Sequence, residues 1–314
     1  MRNILLSGMT AALLAGCSIN PYGADTFTRS GVVSGSILEQ NDCPVDGGTA
    51  VWVSANGRGE CVRYFTAGLR GDRVPVALVH FHGDVMWQDA NGTPTVYDGY
   101  EEHAAPSELQ ALADKGAETA NLPYIRLSRP GTFGSSGDHR LRRQPENLAI
   151  VEAALDAIKA KHGIDRLALA GQSGGGHLVG ALLARRNDIA CAAISSGVVS
   201  VRSRSHMHGW FGRDFTGFWH YVDPIATTHL VPENADRRIF VIGDPKDRNT
   251  PFATQAEYHF ALRALGRGSV LIEAQGDGPQ HHGLAWTGIA VAADCAAGKP
   301  TDQIVEKYAA KNPA

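Results

Sequence analysis

Arg166-Leu167-Ala168-Leu169-Ala170-Gly171-Gln172-Ser173-Gly174-Gly175-Gly176-His177 runs from an apolar stretch through glycines into a helical pattern. Residues 166–170 read as a short strand buried on both faces, and residues 174–186 as a helix. Only a tight turn fits between them. Within it, Gly171-Gln172-Ser173-Gly174-Gly175 matches G-x-S-x-G, a pattern that is weak alone and informative when a strand precedes it and a helix follows. A strand that bends sharply into a helix strains the backbone of the middle residue, and the flanking positions must lack side chains to avoid clashes. Ser173 is thereby pushed out above the strand's C-terminal edge. Its hydroxyl is a poor nucleophile alone, so it needs a base, and the base needs an orienting acid.

On both sides of this junction strands and helices alternate. Residues 74–81 form another short apolar run, followed by a helix opened by Ser107 with Leu109, Leu112 and Ala113 on one face, a strand at 124–127, and a helix over 145–162. Pro145 suits a first helical turn. Beyond the junction come strands at 189–195, 238–242 and 269–274, with helices near 252–265 and 285–295. Repeated βα units predict an α/β fold with a mostly parallel sheet between two layers of helices. Residues 51–54 and 61–67 flank Asn56-Gly57 and read as an antiparallel hairpin at the edge of that sheet. The domain is expected to span 43–314, with a short lid at about 197–236.

The acid and the base should follow the serine, at the C-terminal ends of strands, where α/β folds place their sites. The loop Gly243-Asp244-Pro245-Lys246-Asp247 follows the strand at 238–242, and Asp247 is taken as the acid. Gly276-Asp277-Gly278-Pro279-Gln280-His281-His282-Gly283 follows the last strand and offers two imidazoles. One of them is the base.

From about Val74 to Cys295, these residues resemble the α/β-hydrolase family, whose order of Ser, Asp and His they share. Asp247 followed by Thr250-Pro251, and His282 followed by Gly283, are similar to the prolyl-oligopeptidase and dienelactone-hydrolase branches. That resemblance implies a serine hydrolase in which Asp247 and His282 assist Ser173. Asp244 and His281 are rivals, and three residues separate Gly243 from Asp247 where two are commoner. His80-Phe81-His82-Gly83-Asp84 resembles the family's His-Gly turn, which implies an oxyanion hole made by the backbone N–H groups of Asp84 and Gly174. Arg129-Pro130-Gly131-Thr132-Phe133-Gly134 resembles a loop that lies beside the nucleophile, so His82, Arg129, Phe133, Gln172 and Trp210 are candidates for the substrate pocket. A metal pair at His80 and His82 is a disfavoured alternative, and no metal or other cofactor is expected.

Residues 202–213 of the lid interleave arginines with Trp210 and Phe211. They could hold an aromatic or carboxylated acyl group, although aromatics packed on the sheet with arginines left in water are the favoured reading. The reaction expected is cleavage of a small-molecule ester or thioester through an acyl-enzyme. A prolyl-oligopeptidase-like peptidase is the alternative, placed second because the stretch before Val74 is too short for the β-propeller that branch often carries. A non-catalytic envelope lipoprotein is a third reading.

The chain has 314 residues, 29 Lys+Arg against 32 Asp+Glu, and a formal charge of -3, which gives no electrostatic footprint for nucleic acid. Arg2 precedes an apolar stretch over 4–15 that is too short to span a membrane and resembles a secretory signal. Leu14-Ala15-Gly16-Cys17 is similar to the bacterial lipobox. That resemblance implies a signal peptide over 1–16, a lipid on Cys17, a linker over 17–42, and a place in the cell envelope attached to a membrane. Export permits disulfides. Among the remaining cysteines, the hairpin favours pairing Cys43 with Cys61, and Cys191 is then paired with Cys295.

Overall fold

The structure, a computed structural model, describes residues 27–89 and 91–310. Cys17 and the expected signal peptide lie outside these residues. Ten strands occur among them: β1 (Ala50–Ala55), β2 (Arg58–Ala67), β3 (Val74–Phe81), β4 (Met86–Gln88), β5 (Pro94–Val96), β6 (Tyr124–Leu127), β7 (Ile164–Gln172), β8 (Ile189–Ser195), β9 (Arg238–Gly243) and β10 (Ser269–Glu273). Eight helices accompany them: α1 (Arg29–Ser34), α2 (Pro106–Ala120), α3 (Pro145–His162), α4 (Gly174–Leu183), α5 (Val201–Met207), α6 (Phe252–Ala264), α7 (Ala285–Ala296) and α8 (Thr301–Tyr308).

Eight strands form one sheet in the order β1-β2-β6-β3-β7-β8-β9-β10, parallel from β6 onward and antiparallel through the β1–β2 hairpin. Asn56 and Gly57 both have positive φ (52° and 77°), which is what a two-residue hairpin turn matched to strand twist requires. Side chains alternate between the faces of β7, so Leu167 and Leu169 belong to the core cluster that includes α3, α4 and α6 residues, whereas Ala168 and Ala170 belong to the one that includes α2 and α7 residues. All seven residues of β8 are buried. Such a sheet is covered on both sides, and its strands read as continuous apolar runs. This is the α/β-hydrolase fold.

Three features depart from the sequence reading. The helix after Ser173 ends at Leu183 rather than continuing to Arg186, whose guanidinium instead pairs with Asp188. The segment expected to be a linker is docked from residue 27 onward: Val32 is buried in the core beside Tyr100 and Phe133, and the Ser36 amide donates to Gly137 O at 2.9 Å. A six-residue helix carries too little periodicity to be seen in the sequence. The segment expected to be a lid contains α5, and β4 and β5 form a separate two-stranded ribbon. Both expected disulfides are present, Cys43–Cys61 with Cα atoms 5.5 Å apart and Cys191–Cys295 with Cα atoms 6.0 Å apart. The second ties β8 to α7.

Candidate active site

Ser173 sits between β7 and α4 with φ 56° and ψ -118°. A residue with a Cβ pays roughly 1–3 kcal/mol to occupy such a region, so the surroundings must enforce it. They do so through the backbone: the Ser173 amide donates to Ser195 O at 3.0 Å, and its carbonyl accepts from the amides of His177 and Val198. The glycines have a steric reason. A Cβ on Gly175 would lie 2.1 Å from Phe81 O, and one on Gly174 would lie 1.8 Å from Asp84 Oδ1.

The two aspartates and two histidines sort into parallel pairs. His282 Nδ1 donates to Asp247 Oδ2 at 2.8 Å, and Asp247 Oδ1 accepts from the amides of Asn249 and Thr250, each at 2.8 Å. This carboxylate is fully buried, and it fixes the imidazole so that Nε2 is the nitrogen left to take a proton. His281 Nδ1 lies 3.2 Å from Asp244 Oδ2, but Asp244 also accepts from the amides of Lys246 and Gly276, so it clamps two loops together. Burial alone would raise the Asp244 carboxyl, and those amides together with His281 outweigh it and hold the group below the usual range. Only His282 of the two histidines shares a cavity with Ser173. Its carbonyl also accepts from Gln172 Nε2 at 3.0 Å, which ties the His282 loop to the turn.

That cavity has a volume of about 760 Å³, and its walls include Gly83, Gln172, Trp210 and Phe215. Gly83 packs against Ser173, and a Cβ built on it would lie 3.4 Å from Ser173 Cβ. The amides of Asp84 and Gly174, expected to form the oxyanion hole, donate no hydrogen bond among the described residues. Asp84 itself supplies a reason for the rigidity of this turn. Its carboxylate meets Arg129 at 2.8 Å, Arg142 at 3.1 Å and Arg143 at 2.8 Å, and Arg143 also reaches Asp214 at 3.3 Å. Burial would raise the Asp84 carboxyl, but three guanidinium groups overwhelm that and hold it well below the usual carboxylate range.

Of the five residues named for a substrate pocket, Gln172 and Trp210 line this cavity, whereas His82, Arg129 and Phe133 do not. All three are buried, and Phe133 instead lines a separate cavity with Val32 and Tyr100. Arg129 is drawn inward by Asp84, and burial lowers its guanidinium to about 10. His82 donates from Nδ1 to Gly83 O at 2.7 Å and packs edge-on against Phe133, with burial and the nearby Arg129 and Arg126 keeping it neutral. His80 is pushed down to about 3 by burial and Arg126, and it packs beside Tyr124. The two histidines therefore serve separate contacts. In α5, Arg202 is exposed as the sequence suggests, but Arg204 is buried and lines the cavity with Arg248 and Arg142. Nothing local in the sequence marks Arg142 as an arginine that points inward, and Arg248 lines the cavity while staying exposed.

Residues 147–289 match the prolyl oligopeptidase family (peptidase S9). No curated protein matches the chain in sequence. Among solved structures, the chain is similar to an acylaminoacyl peptidase of Pyrococcus horikoshii at 15% identity and a TM-score of 0.53, covering 78% of this chain and 39% of that one. The chain thus spans well under half the length of that peptidase. It is similar to a Pyrobaculum calidifontis esterase at 16% identity and a TM-score of 0.53, covering 79% and 84%. A Butyrivibrio proteoclasticus protein with ferulic acid bound is 13% identical with a TM-score of 0.52, covering 78% and 96%. These likenesses concern the fold.

Proposed function

We propose that this α/β-hydrolase-fold protein is a serine hydrolase that cleaves carboxylic esters, with Ser173 as nucleophile, His282 as base and Asp247 as the acid that orients it. The observation that carries this reading is the strained Ser173 in one cavity with an imidazole fixed by a buried carboxylate. In the proposed reaction Ser173 Oγ attacks the ester carbonyl while His282 Nε2 takes the hydroxyl proton. The C=O bond opens to an oxyanion facing the Asp84 and Gly174 amides, donors of a kind typically worth about 10²- to 10³-fold each. His282 then protonates the departing alcohol as the C–O bond breaks, leaving an acyl-enzyme. Water, deprotonated by the same imidazole, releases the acid and restores Ser173.

The family match over 147–289 supports a serine hydrolase and also favours a second reading, peptide cleavage by the same residues. The esterase named among the similar folds is matched over most of its length, which supports putting esters first. A fluorophosphonate probe should label the wild-type protein and not Ser173→Ala, and short p-nitrophenyl esters should be hydrolysed faster than N-acyl peptide amides. No labelling of either form would leave the fold as a binding scaffold only.

We also propose, from the lipobox-like Leu14-Ala15-Gly16-Cys17, that the protein sits in the bacterial cell envelope, lipid-anchored through Cys17. Two disulfides support an oxidising compartment. In a bacterial host, Cys17→Ser is expected to move the protein from the membrane fraction to the soluble one, and an unchanged distribution would refute the anchor.

A further inference from the structure

We propose, resting on the ester-cleaving reading above, that the substrate carries a free carboxylate besides its scissile ester and that Arg204 is the counter-ion that selects it. Arg204 is only 6% exposed and lines the cavity that holds Ser173 and His282. Its Nε and Nη2 donate to Asn249 O at 2.9 Å and Asn249 Oδ1 at 2.8 Å, and its guanidinium lies 4.0 Å from the centroid of the Phe215 ring. Nη1 has no acceptor among the described residues. Asn249 is itself held by Asp247, to which its amide donates, so the guanidinium has a fixed position relative to His282.

A buried guanidinium normally has an anion beside it, because removing its hydration is costly. Other buried arginines here have either that anion or an acceptor on every guanidinium nitrogen. Arg129, Arg142 and Arg143 meet Asp84 or Asp214, Arg186 meets Asp188 and Asp156, and Arg237 directs three nitrogens to backbone carbonyls. Arg204 has no carboxylate within ion-pairing distance among the described residues, and its two acceptors come from one asparagine. Burial, then Arg143, lowers it to about 9 against the more distant pull of Asp214, Asp84 and Asp247, so it is still a cation at neutral pH.

The rest of the wall is consistent with one added negative charge. Asp84 is already matched by three guanidiniums, and Asp89 Oδ1 accepts from the Asn91 and Thr93 amides of its own turn. Exposed Arg248 adds a cation. A phosphate dianion would want more donors than this and would lie near both aspartates, whereas a single carboxylate matches one fixed guanidinium above an aromatic floor.

Two ester pairs place the carboxylate on either side of the scissile bond: mono-4-nitrophenyl glutarate against 4-nitrophenyl valerate, and 4-acetoxybenzoate against its methyl ester. The wild-type protein should prefer the charged member of at least one pair in kcat/KM. Arg204→Met should lower that charged-to-neutral ratio on the order of 10²-fold. The ratio is insensitive to partial loss of folded enzyme, and fluorophosphonate labelling of the variant reports its active site separately. A neutral preference in both pairs, or a ratio unchanged by Arg204→Met, would overturn the assignment. Calorimetric binding of glutarate and 4-hydroxybenzoate to Ser173→Ala keeps the test independent of ester cleavage. Binding of either acid that disappears in Ser173→Ala/Arg204→Met supports the subsite even if the hydrolase reading fails, and no binding of either counts against it.

Discussion

Two adjacent imidazoles each hold a carboxylate, His281 with Asp244 and His282 with Asp247, so residue type alone does not separate them. Their surroundings do. Asp247 spends its other oxygen on two amides of its own loop, while Asp244 joins its loop to Gly276, and only His282 reaches the cavity of Ser173. His282→Ala should therefore lower kcat on a p-nitrophenyl ester on the order of 10⁴-fold or more, and Asp247→Asn roughly 10⁴-fold. His281→Ala should stay within about tenfold, since it loses a loop contact rather than the proton acceptor. Equal losses at 281 and 282 would refute the assignment. Gly174→Ala tests the turn beside them. Its Cβ would meet Asp84 Oδ1 at 1.8 Å, and that carboxylate cannot swing away without leaving three arginines. The expected result is a loss of about 3 kcal/mol or more in urea unfolding together with loss of probe labelling. A variant as stable and as reactive as wild type would show that the turn can relax.

At the scale of elements, the parallel strands place the ends of β3, β7, β9 and β10 on one edge, and the loops that leave it carry Asp84, Ser173, Asp247 and His282. The disulfides brace this arrangement at two levels. Cys43–Cys61 closes a short segment onto the edge hairpin, whereas Cys191–Cys295 links elements 104 residues apart. Loop-closure entropy alone puts the first at about 3 kcal/mol and the second nearer to 5. Cys191→Ala/Cys295→Ala should accordingly lower the urea midpoint more than Cys43→Ala/Cys61→Ala, measured without reductant. The opposite order would mean that strain or contacts, rather than loop length, set the two contributions.

Across the whole molecule, burial keeps several histidines neutral. His80 and His177 are lowered to about 3, and His82 and His139 lie well below the ordinary imidazole range, with desolvation the leading cause in all four. Their folded pKa values are depressed, so the unfolded chain binds protons that the folded chain refuses. The associated stability is complete above about pH 6.5 and is lost as pH falls toward 3, at roughly 1.4 kcal/mol per pH unit for each such histidine. Asp84, also depressed, acts in the same direction at lower pH. Urea midpoints measured at pH 7.5, 6, 5 and 4 should fall steeply below 6.5. A midpoint flat from 6.5 to 4.5 would show that these side chains gain protons without unfolding.

Periodicity and turn chemistry, which are local, were sufficient to predict the βα alternation, the Asn56-Gly57 hairpin and the strand–glycine–helix junction at Ser173. The order of Ser173, Asp247 and His282 was legible for the same reason: each follows a recognisable strand. What the chain does not display along its length is which way a side chain faces after a loop has folded. Arg129 and His82 are buried instead of lining the cavity because Asp84 and the Gly83 carbonyl draw them inward. Residues 27–42 docked because a pocket in the core accepts Val32. Arg204, on the short helix α5 that reads as solvated, was turned inward by Asn249 and Phe215, partners 45 and 11 positions away. Burial, charge pairing and cavity shape depend on contacts between distant segments, and the tertiary structure alone decides them.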